Sequence, residues 1–81
     1  MTYTFLRVGD VAARFAVSTS MVYRWVRDGI MPPPVKLGPR MSAWSGDELD
    51  AVAEARLAGR SDDDVRKLVT SLVAARQRDA A

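Results

Sequence analysis

Two short stretches near the start of the chain repeat apolar residues at the spacing of an amphipathic helix. The first lies near residues 8–15, and its apolar positions are Val8, Val11, Ala12 and Phe15. The second follows Ser18 as an N-cap and runs to Arg27, with Gly29 as the residue after its end. Because about three residues separate the two stretches, the pattern predicts a helix-turn-helix unit, in which the first helix supports the second.

The segment after the second helix is predicted to form a β-hairpin. Its proline run at 32–34 cannot be helical, because proline has no N–H and pushes its predecessor toward extended geometry. Two extended runs, 35–37 and 40–44, then flank Gly38-Pro39. Glycine at the first central position of a two-residue loop indicates a type II′ turn, and proline fits the negative φ of the second position. We therefore predict a small hairpin, or wing, with Gly38 and Pro39 at its tip.

Two serines followed by acidic residues mark the starts of two further helices. Ser45 begins a capping box in which its oxygen serves the Glu48 amide and the Glu48 side chain returns to the cap. This helix is predicted to end at Gly59. Ser61 then precedes three aspartates that suit the positive end of a helix, and the apolar stripe of this last helix is Val65, Leu68, Val69, Leu72 and Val73.

The predicted order of elements is helix, helix, hairpin, helix, helix. This is a mainly α fold with a small β-hairpin wing: a winged helix-turn-helix domain over residues 6–58 and a C-terminal amphipathic helix over residues 61–79. A winged unit of about 60 residues does not need the last apolar stripe for its own core. Packing back on the same domain and binding a partner protein are therefore both open for this helix.

Composition excludes most enzyme chemistry. The chain has 81 residues, enough for one small domain, and contains no His and no Cys. His-based acid–base catalysis, thiol nucleophiles, Cys/His zinc sites and disulfides are thereby excluded. Capping explains the acidic clusters after Ser45 and Ser61, and the sequence has no EF-hand spacing. We expect no enzymatic activity, no catalytic residue, no bound metal and no cofactor.

The formal net charge is only +2, but the charges are segregated along the chain. Residues 1–46 carry a net charge of +4, residues 47–64 carry −5 and residues 65–81 carry +3. This pattern indicates that one face meets an anion while another meets water or a basic partner.

The sequence has no run of about 18 apolar residues, and residues 1–5 lack the regions of a signal peptide. We therefore expect a cytoplasmic protein without a membrane partner.

The second helix carries the main candidate site. Val22, Trp25 and Val26 are predicted to face inward, so its start and outward side present Ser18, Thr19, Ser20, Tyr23, Arg24 and Arg27. Arginine pairs with guanine edges, hydroxyls serve bases or phosphates, and a helix N-terminus attracts phosphate. On a lone helix this would be an ordinary solvated face. Next to a supporting helix and a wing, it favours a DNA-binding surface.

The wing supplies two further candidate DNA-binding residues. Lys36 and Arg40 bracket the predicted tip, where they reach the DNA backbone or the adjacent minor groove. The same charges also protect an edge hairpin from aggregation, and the two roles are compatible.

Trp25 and Trp44 are predicted to pack in the core rather than to stack on bases. Tyr23 either contacts phosphate through its hydroxyl or covers the domain edge.

The segment 18–27, followed by Gly29, Pro32, the run 34–40, Trp44 and the acidic helix beginning at Asp47, resembles a known family. Over residues 6–58 it is similar to the AlpA-like branch of the winged helix-turn-helix proteins related to MerR. Members are small DNA-binding proteins, chiefly phage excisionases (recombination directionality factors) and prophage regulators. The resemblance implies that the second helix enters the major groove and that the wing reaches the backbone or minor groove.

The resemblance also implies what the protein does with DNA. Excisionases of this type bind side by side near an attachment site, bend the DNA and direct a phage integrase toward excision. Charge segregation adds the expectation of cooperative, head-to-tail self-association along double-stranded DNA. The bias toward Arg over Lys, ten against two, suggests a GC-rich source such as a mycobacteriophage. A prophage transcription regulator of the same fold and a protein-interaction module working through the last helix remain the alternatives.

Overall fold

A computed structural model describes residues 3–79, and its elements follow the predicted order with one addition. The elements are β1 Phe5–Leu6, α1 Val8–Arg14, α2 Thr19–Asp28, β2 Val35–Gly38, β3 Met41–Ser45, α3 Gly46–Leu57 and α4 Asp62–Asp79. The addition is β1, which pairs antiparallel with β3 and completes a three-stranded sheet of order β1-β3-β2. The mainly helical fold with a small wing is thereby confirmed, and it is compatible with a winged helix-turn-helix. Residues 1, 2, 80 and 81 lie outside the described residues. Residues 1 and 2 belong to the segment 1–5 that is expected to lack a signal peptide.

Serine caps begin helices, and glycines follow helix ends, where the sequence predicts. Ser18 and Ser61 each accept a hydrogen bond from a backbone amide three residues on, at 3.1 Å in both cases. Gly29 and Gly59 follow α2 and α3 with φ angles of +82° and +75°. Left-handed backbone of this kind is unfavourable for residues with a Cβ atom, so glycine is the residue that ends these helices at least cost.

One half of the predicted capping box at α3 is wrong. The Ser45 hydroxyl does accept a hydrogen bond from the Glu48 amide, at 3.4 Å. The Glu48 carboxylate, however, does not return to the cap but accepts two hydrogen bonds from the guanidinium of Arg76 on α4. A two-point, charge-assisted pair is stronger than a hydrogen bond to a neutral amide, so arginine takes the carboxylate.

The predicted type II′ turn at the wing tip is also wrong. Gly38 is the last residue of β2 and pairs with Met41, so the central residues of the turn are Pro39 and Arg40. Gly38 does not have the positive φ that a type II′ turn requires. The reason is that a residue before proline favours extended geometry, while the fixed φ of proline suits the first central position. A one-residue bulge in β2 accommodates the shift.

Two adjoining apolar clusters hold these elements together. The first is formed by α1, α2, β3, α3 and the loop after α2, with Val11, Ala12, Val22, Met31, Trp44 and Leu49 buried. The second joins α4 to α3 through Ile30, Val52, Val65 and Val69. Phe15 and Trp25 pack against both clusters, and their rings meet edge to face with centroids 6.2 Å apart. The helix-turn-helix unit and α4 therefore share one continuous interior.

Candidate nucleic-acid interface

Packing and capping fix which side of α2 faces outward. Val22 is fully buried, and Trp25 and Val26 are partly buried against the core. The hydroxyl oxygen of Ser18 accepts a hydrogen bond from the Met21 amide, so Ser18 caps the N-terminus of α2. In the turn before it, Ala16 has a φ of +58°, which brings α2 back across α1. The orientation of α2 is thus determined by its apolar side and by this turn.

The outward side of α2 presents the polar residues that the sequence singles out. Thr19, Ser20, Arg24 and Arg27 are exposed along it, as is Ser18 at the N-cap. Tyr23 is 52% exposed, and its ring lies 5.9 Å from the ring of Trp44. Part of the Tyr23 ring therefore covers Trp44 of β3 while the rest faces solvent. The hydroxyls, the phenol and the two guanidinium groups form one continuous surface because they lie on one helix face.

The wing places its two cations on the strand and at the tip. Lys36 lies on β2 opposite Ser42, and Arg40 lies in the turn itself. Both side chains are exposed. Leu37 and Met41, which flank the turn, are also 47% and 45% exposed. The tip is thus a projection with cationic and apolar groups, a combination that suits the backbone and floor of a groove.

The wing and α2 are held together by two contacts of Trp44. Its indole N–H donates a hydrogen bond to the Pro32 carbonyl oxygen at 2.7 Å, in the loop that joins α2 to the wing. Its ring packs beside Tyr23 of α2. Trp44 is 1% exposed, as a core residue is expected to be. It therefore belongs to the interior and sets the distance between the two exposed elements.

Among residues 3–77, the cations of α2 and the wing have no carboxylate partner, which is also true of the exposed Arg7, Arg60 and Lys67 but not of four other arginines. Ion pairs join Arg14 to Asp50, Arg56 to Asp62, Arg66 to Asp63 and Arg76 to Glu48. Within residues 3–77 no ion pair involves Arg24, Arg27, Lys36 or Arg40. An exposed, unpaired cation attracts an external anion more strongly than a cation whose charge is neutralised by a neighbouring carboxylate. These four cations form the candidate interface, together with the hydroxyls of α2.

The acidic segment lies on different elements. Asp47, Asp50 and Glu54 are exposed along α3, and Asp62 to Asp64 are exposed at the start of α4. In the part of the chain that the structure describes, these carboxylates do not form a group that could hold a metal ion. Among the same residues, no helix has the length and apolar character needed to cross a membrane.

Two contacts of α4 were not predicted from the sequence. Arg66 donates a hydrogen bond to the Asp28 carbonyl oxygen at the end of α2, at 3.0 Å. Arg76 donates to the Pro33 carbonyl oxygen before the wing, at 2.8 Å. The second contact has a signal in the sequence, because Arg76 continues the apolar spacing of Val65, Val69 and Leu72 by four residues. A charged residue in that register points to a partner in the interior.

Comparisons with known proteins cover the part of the chain that holds this surface. The sequence profile of a family described as "Prophage CP4-57 regulatory protein (AlpA)" matches residues 4–57. The uncharacterized protein ORF88 of Enterobacteria phage P4 is 41% identical over 56 residues, which are 69% of this chain and 64% of that protein. The chain thus matches slightly less than two thirds of the length of this relative. No solved structure matches the sequence. The family match contains α2 and the wing and ends before α4.

Proposed function

The chain belongs to the AlpA family of phage regulatory proteins, and from this premise we propose that it binds double-stranded DNA through α2 and the wing. The observation that carries the proposal is the set of four exposed cations, on two elements in mutual contact, that have no ion-pair partner within the described residues. An α-helix fits the major groove, where base edges can be read. The α2 surface therefore enters the major groove, and the wing contacts the backbone or the adjacent minor groove.

Each residue of the interface has a proposed part. Arg24, near the middle of α2, contacts a guanine edge through its guanidinium group. Thr19 and Ser20, at the N-terminal end of α2, donate to phosphate or base edges, and Ser18 keeps that end capped. Arg27, the Tyr23 hydroxyl, Lys36 and Arg40 contact phosphates and position the protein.

We propose that the protein is not an enzyme and that it acts on DNA without a cofactor. The residues of α2 and the wing are donors and cations suited to holding a polyanion, not to breaking a bond. Catalytic sites are concave and bring reactive groups such as an acid and a base together, and no carboxylate is among the proposed interface residues. In a bacterium infected by a phage, such a protein works on DNA in the cytoplasm.

The specific role proposed for the protein is that of a phage excisionase. In this role it binds near an attachment site, bends the DNA and directs an integrase toward excision. The support is the resemblance of the segment 18–44 to MerR-related excisionases and the small size of the unit. One module of this size buries about 600–1,000 Å² on DNA. Bending DNA costs of order 1–6 kcal/mol, so several cooperating copies are needed.

Cooperation between copies is proposed to use the acidic face of α3. Asp47 and Glu54 are exposed there and form no ion pair within residues 3–77, whereas Asp50 forms an ion pair with Arg14. A head-to-tail contact between this face and a basic surface of the next copy would extend along DNA. Reversing Asp47 and Glu54 to Lys leaves the Arg14 pair intact. Sedimentation on multi-site DNA should then show a loss of cooperativity, while affinity for single-site DNA is retained. Unchanged cooperativity would exclude this contact.

A prophage transcription regulator is the alternative, and the family description "regulatory protein" favours it. Two assays on the same phage distinguish the roles. An excisionase raises the yield of integrase-mediated excision from a plasmid carrying both attachment sites, whether or not a promoter is present. A regulator changes expression from a reporter with the phage promoter and leaves the excision yield unchanged when integrase is supplied separately. The second pattern would reject the excisionase role and keep DNA binding.

A further inference from the structure

Two arginines of α4 are bonded to backbone carbonyls at the two ends of one loop. This loop, the connector, consists of residues 29–34 and joins α2 to the wing. Arg66 donates through its Nε atom to the carbonyl oxygen of Asp28, the last residue of α2, at 3.0 Å. Arg76 donates through Nη2 to the carbonyl oxygen of Pro33 at 2.8 Å. The helix that holds both ends of the connector lies outside the residues of the family match.

The proline part of the connector has only its carbonyl oxygens for backbone hydrogen bonding, whereas the amides of Gly29 and Ile30 donate to carbonyls of α2. Residues 32–34 are three consecutive prolines, which have no N–H to donate. Trp44 donates to the Pro32 carbonyl from β3, and Arg76 donates to the Pro33 carbonyl from α4. Two successive carbonyls are thus bonded to two different elements. Because Pro34 is followed directly by β2, the position of these carbonyls determines where the wing begins.

Arg76 is itself held in one orientation. Its Nε and Nη2 atoms donate to the two carboxylate oxygens of Glu48, at 2.7 and 2.5 Å. The side chains of Arg76 and Glu48 are 24% and 11% exposed. A planar guanidinium bound by two points to a carboxylate cannot rotate without breaking both bonds. The bond to Pro33 therefore comes from a donor whose position is fixed by α3.

We propose that Arg76 is a positioning residue for DNA binding. It holds the connector, and through it Lys36 and Arg40 of the wing, at a fixed place relative to α2. Arg66 holds the other end of the connector at the C-terminus of α2, where a cation also suits the negative end of the helix. The inference rests on the proposed function, because its consequence is an effect on DNA affinity. A wing that is already in place loses less conformational freedom when it binds.

The test is a double-mutant cycle on the intact chain. Arg76→Met keeps the aliphatic stem of the side chain and removes its hydrogen bonds. Arg40→Ala removes a wing cation that does not touch Arg76. In the unmodified protein we expect Arg40→Ala to weaken DNA binding about tenfold, or about 1.4 kcal/mol. In the Arg76→Met background the same change should cost less than about threefold, since coupled residues are not additive.

A matched control separates positioning from a general loss of stability. Arg56 on α3 pairs with Asp62 at the start of α4, an α3–α4 contact that does not involve the connector. In the Arg56→Met background, Arg40→Ala should keep its full, roughly tenfold effect. Should Arg76→Met fail to fold, Glu48→Gln replaces it in the cycle, because the amide keeps one acceptor for Arg76 while the charge is removed.

A second measurement does not depend on DNA. Amide hydrogen exchange in the free protein should rise in residues 35–45 of Arg76→Met and remain unchanged in α1. Faster exchange in the wing together with the reduced effect of Arg40→Ala supports the inference. An equal effect of Arg40→Ala in both backgrounds, or unchanged exchange in the wing, overturns it. If the unmodified protein shows no DNA-dependent signal at all, the proposed function has failed, and exchange alone decides whether Arg76 holds the wing.

Discussion

The ring of Tyr23 lies 5.9 Å from the ring of Trp44, and the two planes are inclined by 60°. Tyr23 lies on the exposed side of α2, and Trp44 is a buried residue of β3. The contact therefore joins the helix that is proposed to face DNA to a strand of the wing. Since Trp44 also bonds the Pro32 carbonyl, one side chain contributes to both the stability of the fold and the spacing of the interface.

Trp44→Phe should lower the free energy of unfolding by about 1–3 kcal/mol beyond the loss of ring volume, because it leaves the Pro32 carbonyl without its donor. Urea unfolding followed by circular dichroism measures this change. Trp25→Phe is the matched control, since Trp25 is partly buried and its indole N–H donates no hydrogen bond within residues 3–77. Equal losses in the two variants would contradict the role given to the Trp44 hydrogen bond.

Arg24→Ala should cost about 1–3 kcal/mol of DNA-binding free energy and relax the choice of base at one position. The physical reason is the loss of a two-point contact with a base edge, which no other residue of α2 replaces. Selection of bound sequences from a random duplex pool, before and after the substitution, measures the base preference. Equal weakening on every sequence would show that Arg24 contacts phosphate instead.

Lys36→Ala and Arg40→Ala should each weaken binding to all sequences and reduce the slope of log affinity against log salt by about 1. Both residues are exposed cations, and both are proposed to contact the DNA backbone from the wing. Arg60→Ala is the control, because Arg60 is an exposed cation in the turn between α3 and α4. A loss of slope in Arg60→Ala as large as in the wing variants would place the DNA on another face.

Two glycine substitutions should change stability in opposite directions. Gly29 has a φ of +82°, so Gly29→Ala should destabilise the fold by about 1–2 kcal/mol through backbone strain. Gly9 lies in α1, and a Cβ atom there would meet nothing within 4 Å. Gly9→Ala should therefore stabilise the protein by about 0.5–1 kcal/mol. Thermal unfolding measures both changes, and a shift of the same sign in the two variants would contradict this account.

Local signals in the sequence predicted α2, α3 and α4 well, because nearby serines and glycines mark where these helices begin or end. Ser18, Ser61, Gly29 and Gly59 act within one turn of the helix that they begin or end. The wing was predicted from Gly38 and its neighbours, but the turn type was not. Two local rules compete there, and the restriction that proline places on the preceding residue outweighs the conformational freedom of glycine.

Contacts between residues far apart in the chain were the part that the sequence did not reveal. Strand β1 has two residues, too few for an alternating pattern, and it exists because Phe5 and Leu6 pair with Ser45 and Trp44. The bond from Arg76 to Glu48 spans 28 residues, and it displaced the local capping interaction that the sequence predicts for Glu48. Local patterns placed the candidate interface on α2 and the wing, whereas the residues that join these elements are defined only by the fold.

DNA binding through the cations of α2 and the wing is measured by the dependence of affinity on salt concentration. If Arg27, Lys36 and Arg40 each neutralise one phosphate while Arg24 contacts a base edge, log affinity should fall linearly with log salt, with a slope of about −3. A variant with all four residues changed to Ala should retain its fold and lose most of that slope. A flat response in the unmodified protein, or an unchanged slope in the variant, would contradict DNA binding through α2 and the wing.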